Sequence, residues 1–393
     1  MKAGIIVKNL KRIISFCVVL TVIVGLFSGA SVAADKYELY PITDNHLLNG
    51  KVVFIDAGHG EGFTNGAGDY LEEEGNFTQA MLLKDNLERC GATVILTRPT
   101  RADVHDYARM AEVNKYALQR ILAWYELRVN DETLSEQARI NSAAAIEELN
   151  QLIGVMDTVI SDPAANAGKY FNTPWSKDKT ISYELSRIFD FEECELVRKG
   201  ILFVSIHSNT TRNTSYDGTT TYHISNEFEN NQAYYTKYSF VRESKSFAEA
   251  LAEEVSTSAD FTNRGAQEEN YFMIREMNIP SALVQVAYYT NDGDRAKLEN
   301  EYYQKRIAAG MTYAVMKHFG VYTDPYSIVE PEMGDINEDG AIDNADVVTL
   351  ARYLLGEDNW ISDKTTDVNG DGKISNGDLV LILRHIVYGI PLA

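Results

Sequence analysis

Lys51 to Arg98 reads KVVFIDAGHGEGFTNGAGDYLEEEGNFTQAMLLKDNLERCGATVILTR, and its pattern decides the fold class. The apolar run Val52 to Ile55 ends in Asp56 and a histidine between glycines, Gly58-His59-Gly60. A short, continuously apolar run predicts a buried strand, and the glycines predict a tight loop at its end. Behind the acidic patch Glu72-Glu73-Glu74, apolar residues at Phe77, Met81, Leu83 and Leu87 predict a helix. Cys90-Gly91 stops that helix, and Thr93 to Leu96 is a second strand. In open α/β sheets the carboxyl ends of the strands face the ligand crevice, so this βαβ half-unit puts a histidine and a carboxylate at the mouth of a site.

The 393 residues, 45% of them hydrophobic, suffice for one good core and a small appendage. Lys2, Lys8, Lys11 and Arg12 precede an apolar run from Ile13 to Phe27, and Ser31-Val32-Ala33-Ala34 offers a small-residue cleavage site before Asp35. Residues 1–34 therefore read as a secretory signal peptide. An uncleaved membrane anchor is disfavoured because the run is short and the cleavage site good. The formal net charge is −21; without the four basic residues of the signal, 32 basic residues face 57 acidic ones, a net −25. A surface so acidic repels nucleic acid and anionic lipid, so neither nucleic acid nor, after cleavage, a membrane is an expected partner. Cys17 leaves with the signal, and Cys90 and Cys194 either form one disulfide or remain separate buried thiols.

Beyond Arg98 the chain is helical over Ala102 to Val129 and Leu134 to Gly154, then irregular from Ser161 to Lys179, then helical again from Tyr183 to about Lys199. Ile201 to Ile206 is an apolar strand ending in His207. Gly218 to Ile224 reads as another strand, with His223 on a solvated face, and Tyr234, Tyr235 and Tyr238 are expected to pack the domain. Helices are expected over Phe247 to Val255 and Arg295 to Phe319, with a strand after Pro280 carrying Gln285.

These blocks carry a resemblance. Ile55-Asp56-Ala57-Gly58-His59-Gly60, a glutamate at the head of the next helix, Phe203-Val204-Ser205-Ile206-His207-Ser208-Asn209, and Ile279-Pro280-Ser281-Ala282-Leu283-Val284-Gln285 with Asn291 and Asp294 resemble the zinc-dependent N-acetylmuramoyl-L-alanine amidases of the amidase 3 type, over about residues 50 to 320. The resemblance implies an α/β fold with a twisted, mostly parallel sheet flanked by helices. Where the family has a modest helical connection before the second histidine strand, this chain runs from Pro99 to Gly200, a helical insertion either packed on one face of the sheet or serving as a lid over the groove. Catalytic zinc takes three nitrogen or oxygen ligands and keeps an open position, and His59, Glu72 and His207 would supply them, with Glu74 the second choice for the glutamate. Gln285 stands where the family has its general base, a glutamate. A neutral amide cannot take a proton from the metal-bound water, and losing a general base typically costs about a hundred- to ten-thousand-fold. Either another carboxylate such as Glu74 serves, or the enzyme is slow, or the domain binds peptidoglycan without cleaving it.

After Gly320 the composition changes. Residues 321–333, with Pro325 and Pro331, read as a linker between a domain at 35–320 and a module at 334–393. That module holds a repeat: Asp335, Asn337, Asp339, Gly340, Ala341, Asp343 and Asp346 recur as Asp367, Asn369, Asp371, Gly372, Lys373, Ser375 and Asp378. Oxygen side chains at positions 1, 3, 5, 9 and 12, glycine at 6 and a backbone carbonyl at 7 form a calcium-loop pattern. Each loop precedes one amphipathic helix, Val347 to Leu355 and Leu379 to Tyr388. Over residues 334–390 this resembles the type I dockerin, a small all-α module with two calcium sites, whose partner is a cohesin on a scaffold protein. Asn344-Ala345 and Asn376-Gly377 stand where dockerins commonly set cohesin choice. The two resemblances together imply a secreted, extracellular or cell-wall-associated amidase acting on peptidoglycan and tethered to a scaffold. A polysaccharide hydrolase is disfavoured, because the sequence offers a metal-ligand set rather than an acid and nucleophile pair.

Overall fold

In a computed structural model of the chain, the run at Val52 forms β1 (Val52–Ala57), buried at every position. The structure describes residues 45–168, 199–225, 240–322, 333–336, 342–356, 363–388 and 390–392, with Tyr37, Ile42, Val197 and Ile361. The signal segment, Cys194, Tyr234, Tyr235, Tyr238, Asn337, Asp339 and Ala341 lie outside the described residues. After β1 come a small hairpin, β2 (Gly66–Ala67) and β3 (Tyr70–Leu71), then α1 (Glu72–Arg89) and β4 (Thr93–Leu96). Two long helices follow, α2 (Asp106–Val129) and α3 (Glu136–Ser161). The chain returns as β5 (Ile201–Asn209), β6 (Thr219–His223), α4 (Val241–Ala259), β7 (Asn263–Glu268), α5 (Phe272–Arg275), β8 (Ser281–Tyr288), α6 (Asp292–Leu298) and α7 (Glu301–Phe319). The C-terminal module contributes α8 (Asn344–Leu354), α9 (Asp363–Thr366) and α10 (Asn376–Tyr388).

The main sheet has six strands in the order β4-β1-β5-β8-β6-β7, parallel throughout except at the β6–β8 pair. Its central strands are apolar almost without alternation because helices flank the sheet, as parallel sheets require. Val52, Phe54, Ile201, Phe203 and Leu283 point to one face, where they pack with Met110, Val113, Leu118 and Ile121 of α2 and Leu149, Leu152 and Met156 of α3. The first part of the insertion is thus packed on the sheet, and burying each large side chain contributes about 1.5–3 kcal/mol. In a second group of helices, α7 packs against both α1 and α4, with α1 lying against β1 and β5 and α4 against β6 and β8. Among the described residues no helix is long and apolar enough to cross a membrane.

Several sequence expectations are corrected. The helix expected over Arg295 to Phe319 is two helices, because the Asn300 side chain accepts from the Tyr302 N–H and caps α7, ending α6 at Leu298. β7 was not foreseen, since NRGAQE has neither apolar alternation nor β-branched residues. His223 is not solvated but 2% exposed, with Nδ1 3.2 Å from the Ile224 carbonyl, and burial lowers its pKa. A four-residue helix, α9, precedes the second loop of the C-terminal module, where none was expected.

Candidate metal centre

Three elements deliver the side chains singled out above. His59 lies in the loop after β1, Glu72 opens α1, and His207 sits within β5, which runs on to Asn209. Their donor atoms all lie within 4.8 Å of one another. Glu72 Oε1 is 3.1 Å from His59 Nε2 and 3.3 Å from His207 Nδ1, and accepts a 3.3 Å hydrogen bond from the Ser208 backbone N–H. The two imidazoles meet edge to face at 4.8 Å, and Phe63 stacks on His59 at 3.5 Å. Burial pushes the Glu72 carboxyl up, but hydrogen bonding and charge from His207 and His59 outweigh it and bring it down from 4.5 to about 2.

The local chain accounts for each placement. Glu72 stands at the first turn of a helix, where the aligned N–H groups favour a carboxylate. Its own N–H is tied to the Asn65 carbonyl at 3.0 Å, and the Tyr70 hydroxyl before it is 2.6 Å from Ser208 Oγ, so the hairpin fixes where α1 begins. His59 has φ +67°, the left-handed region that only a few per cent of non-glycine residues adopt. Gly58 must be glycine, because a Cβ there would lie 2.2 Å from the His207 ring. Glu74, the second choice for a ligand, instead pairs with Arg101 at 2.6 Å, and Glu73 shares that guanidinium.

Gln285 is the register partner of His207 across β5–β8 and of Thr220 across β6–β8, so its side chain leaves the sheet on the same face as His207. Its Oε1 is buried and has no hydrogen-bond partner among the described residues. An ionised carboxylate and two imidazoles converging from three elements fit a divalent ion that takes three N/O ligands. Beneath them lies a layer that sequence reasoning missed. Asp56, fully buried, accepts from Ser205 Oγ at 2.8 Å, Thr97 Oγ1 at 2.6 Å and Arg109 Nη1 at 3.2 Å. The available signal was Arg109 itself, a charge between Ala108 and Met110 on the apolar face of α2.

In the C-terminal module, Asp343 and Asp346 form a capping box at the start of α8, and Asp346 Oδ1 accepts from the Ile336 N–H at 2.7 Å, close behind Asp335. In the second loop, Asp367 accepts from the N–H groups of Asp371 and Gly372 at 3.1 and 2.8 Å, and Asn369 and Asp371 accept from the N–H groups of Asp371 and Lys373. Asp378 is fully buried: Oδ2 accepts from the Ser375 N–H at 2.9 Å while, among the described residues, Oδ1 has no hydrogen-bond partner. A buried carboxylate oxygen without a donor, beside a ring of loop oxygens, fits a hard cation. Gly370 and Gly372 take φ +68° and +79°, which the tight loop requires.

The chain therefore joins an amidase-like α/β domain to a dockerin module: residues 190–317 match the family model described as N-acetylmuramoyl-L-alanine amidase (Amidase_3), and residues 333–387 match the dockerin type I domain. Among individual relatives, it is 21% identical over 281 residues to the germination-specific N-acetylmuramoyl-L-alanine amidase of Bacillus subtilis, covering 71% of this chain and 84% of that one. It is 28% identical over 117 residues to the probable cell wall amidase LytH of Staphylococcus saprophyticus, covering 29% of this chain and 35% of that one. With a LytH of Staphylococcus epidermidis the match spans 43% of the relative, so the chain spans under half the length of these LytH relatives. A solved structure, the catalytic domain of CwlV, an N-acetylmuramoyl-L-alanine amidase from Bacillus (Paenibacillus) polymyxa, aligns with TM-score 0.40 and 20% identity over 69% of this chain and 99% of that one.

Proposed function

We propose that the chain is a secreted, zinc-dependent N-acetylmuramoyl-L-alanine amidase that hydrolyses the amide between N-acetylmuramic acid and L-alanine of peptidoglycan, anchored to a cohesin-bearing scaffold through its dockerin. The observation that carries the reading is the convergence of His59, Glu72 and His207 within 4.8 Å, from three separate elements of a domain whose later half matches the amidase family. These three would hold Zn2+, which when bound polarises the scissile carbonyl and lowers the pKa of its water. Glu72 stays ionised to bind it, the backbone N–H of Ser208 fixes the orientation of its carboxylate, and Phe63 holds the plane of the His59 ring. Gln285 presents a polar amide on the face of His207 but, being neutral, cannot accept a proton as a carboxylate base would. Turnover is therefore expected about a hundred- to ten-thousand-fold below that of Gln285→Glu. Ca2+ would be held at two sites, by Asp335, Asn337, Asp339, Asp343, Asp346 and the Ala341 carbonyl, and by Asp367, Asn369, Asp371, Ser375, Asp378 and the Lys373 carbonyl.

The buried, unpartnered Oε1 of Gln285 favours one second reading, a component that binds peptidoglycan without cleaving it. Release of soluble stem peptide from purified peptidoglycan by the zinc-loaded mature chain separates the two. Activity that His59→Ala abolishes supports the amidase; no release by the wild type, with release gained in Gln285→Glu, supports the binding component and sinks the first reading.

A further inference from the structure

The loop that delivers His59 turns three successive backbone carbonyls, those of Ala57, Gly58 and His59, toward buried cations instead of water. Arg98 donates to the Ala57 carbonyl from Nε at 2.7 Å and to that of Gly58 from Nη2 at 3.3 Å. Arg109 donates to the His59 carbonyl from Nη2 at 2.6 Å, to Ala57 from Nη1 at 3.3 Å, and to the Val104 carbonyl from Nε at 2.6 Å. Both side chains are fully buried, with Asp56 the fully buried carboxylate beside them.

We propose that Arg109 is a positioning residue of the metal centre: it holds the left-handed backbone of His59 and so sets the direction from which that imidazole meets Glu72 and His207. The inference rests on the metal reading above. A non-glycine residue keeps positive φ only where its surroundings determine it, and the His59 carbonyl accepts from Arg109 at 2.6 Å. Besides pairing with the buried Asp56, the guanidinium directs hydrogen bonds to the carbonyls of Ala57 and His59, which an ion pair alone would not require. Its planar fork reaches carbonyls on two separate segments at once, which a lysine ammonium cannot reproduce. Arg109 belongs to α2, the first helix of the long connection between β4 and β5, so that connection takes part in building the metal centre.

The test uses the full mature chain stripped of metal, with Arg109→Lys, Arg109→Met and, as a control on the same helix, Lys115→Met, which removes a 2.6 Å ion pair between α2 and Asp157 of α3. Zinc affinity is read by competition with a chromophoric chelator, ligand geometry by the visible absorption of the Co2+ form, and folding by circular dichroism without metal. Both Arg109 variants are expected to fold, to bind zinc about tenfold or more weakly, and to show displaced Co2+ bands, while Lys115→Met matches wild type. Unchanged affinity and spectrum in folded Arg109→Lys would overturn the proposal. So would failure of both Arg109 variants to fold while metal-free wild type folds, which would assign the residue to the fold alone. Wild type that takes up neither ion overturns the metal reading itself, a result distinct from either.

Discussion

The two ion-type regions of this chain are built in opposite ways. At the His59–Glu72–His207 group the donors come from three separate elements, His207 lying 135 residues beyond Glu72, and already bond one another: Glu72 Oε1 alone engages both imidazoles and a backbone N–H. In the second loop of the dockerin all the oxygens come from twelve consecutive residues, Asp367 to Asp378; some bond the loop's own N–H groups and one, Asp378 Oδ1, bonds nothing. A site assembled by a large core is preorganised whether or not an ion is present. A site assembled from local chain, in a module whose buried core among the described residues is Ile336, Leu350, Ile361, Val368 and Ile382, is expected to need its ion to complete the fold.

The largest expected effect tests that contrast directly. Chelating calcium should abolish the cooperative thermal transition of the dockerin while leaving that of the α/β domain in place, as read by calorimetry on the full chain; a dockerin that melts unchanged without calcium contradicts the contrast. Next, His59→Ala should weaken zinc binding by more than about a hundredfold, beyond the range seen for outer-shell changes, with little loss of α/β-domain stability. Isothermal titration and a melting curve on one sample read both. A smaller effect, about tenfold in zinc affinity, is expected for Gly58→Ala, because the added Cβ would lie 2.2 Å from the His207 ring and displace it; a chelator competition reads it.

The smallest effect concerns pH. His318 of α7, packed against Phe247 and Phe319, is pushed by burial from 6.5 down to about 4. The unfolded chain therefore binds the proton first, so the stability His318 contributes is full above pH 6.5 and is lost as the pH falls toward about 4. His318→Leu should flatten that slope in denaturant melts of the α/β domain and leave the dockerin transition alone. An unaltered slope removes His318 as its source.

Sequence patterns revealed the strands and the ends that carry chemistry, since Val52–Ile55 and Ile201–Val204 are continuous apolar runs that read as buried strands. They did not reveal β7, whose NRGAQE has no period, or the break at Asn300, where a capping side chain interrupts an amphipathic pattern. The burial of His223 was also missed, because its neighbours Thr221 and Tyr222 are polar enough to read as a wet face. The family model matches only from residue 190 onward, although His59 and Glu72 lie far upstream. The long connection between β4 and β5 separates these halves in sequence, while the pairing of β1 with β5 reunites them in space.

By itself, the sequence determined the duplicated loops of the C-terminal module and the two strands that lead to His59 and His207, because each is written in local spacing. Only the tertiary structure decided that Glu72 and not Glu74 faces the histidines, that α2 packs on the sheet face carrying His207, and that two buried arginines hold the loop of His59. Those outcomes depend on which side chains meet across the fold: Arg101 claims Glu74, the Phe54–Phe203 face claims α2, and three inward carbonyls claim Arg98 and Arg109. Contacts between residues so far apart in sequence leave no period or spacing in the chain to be read.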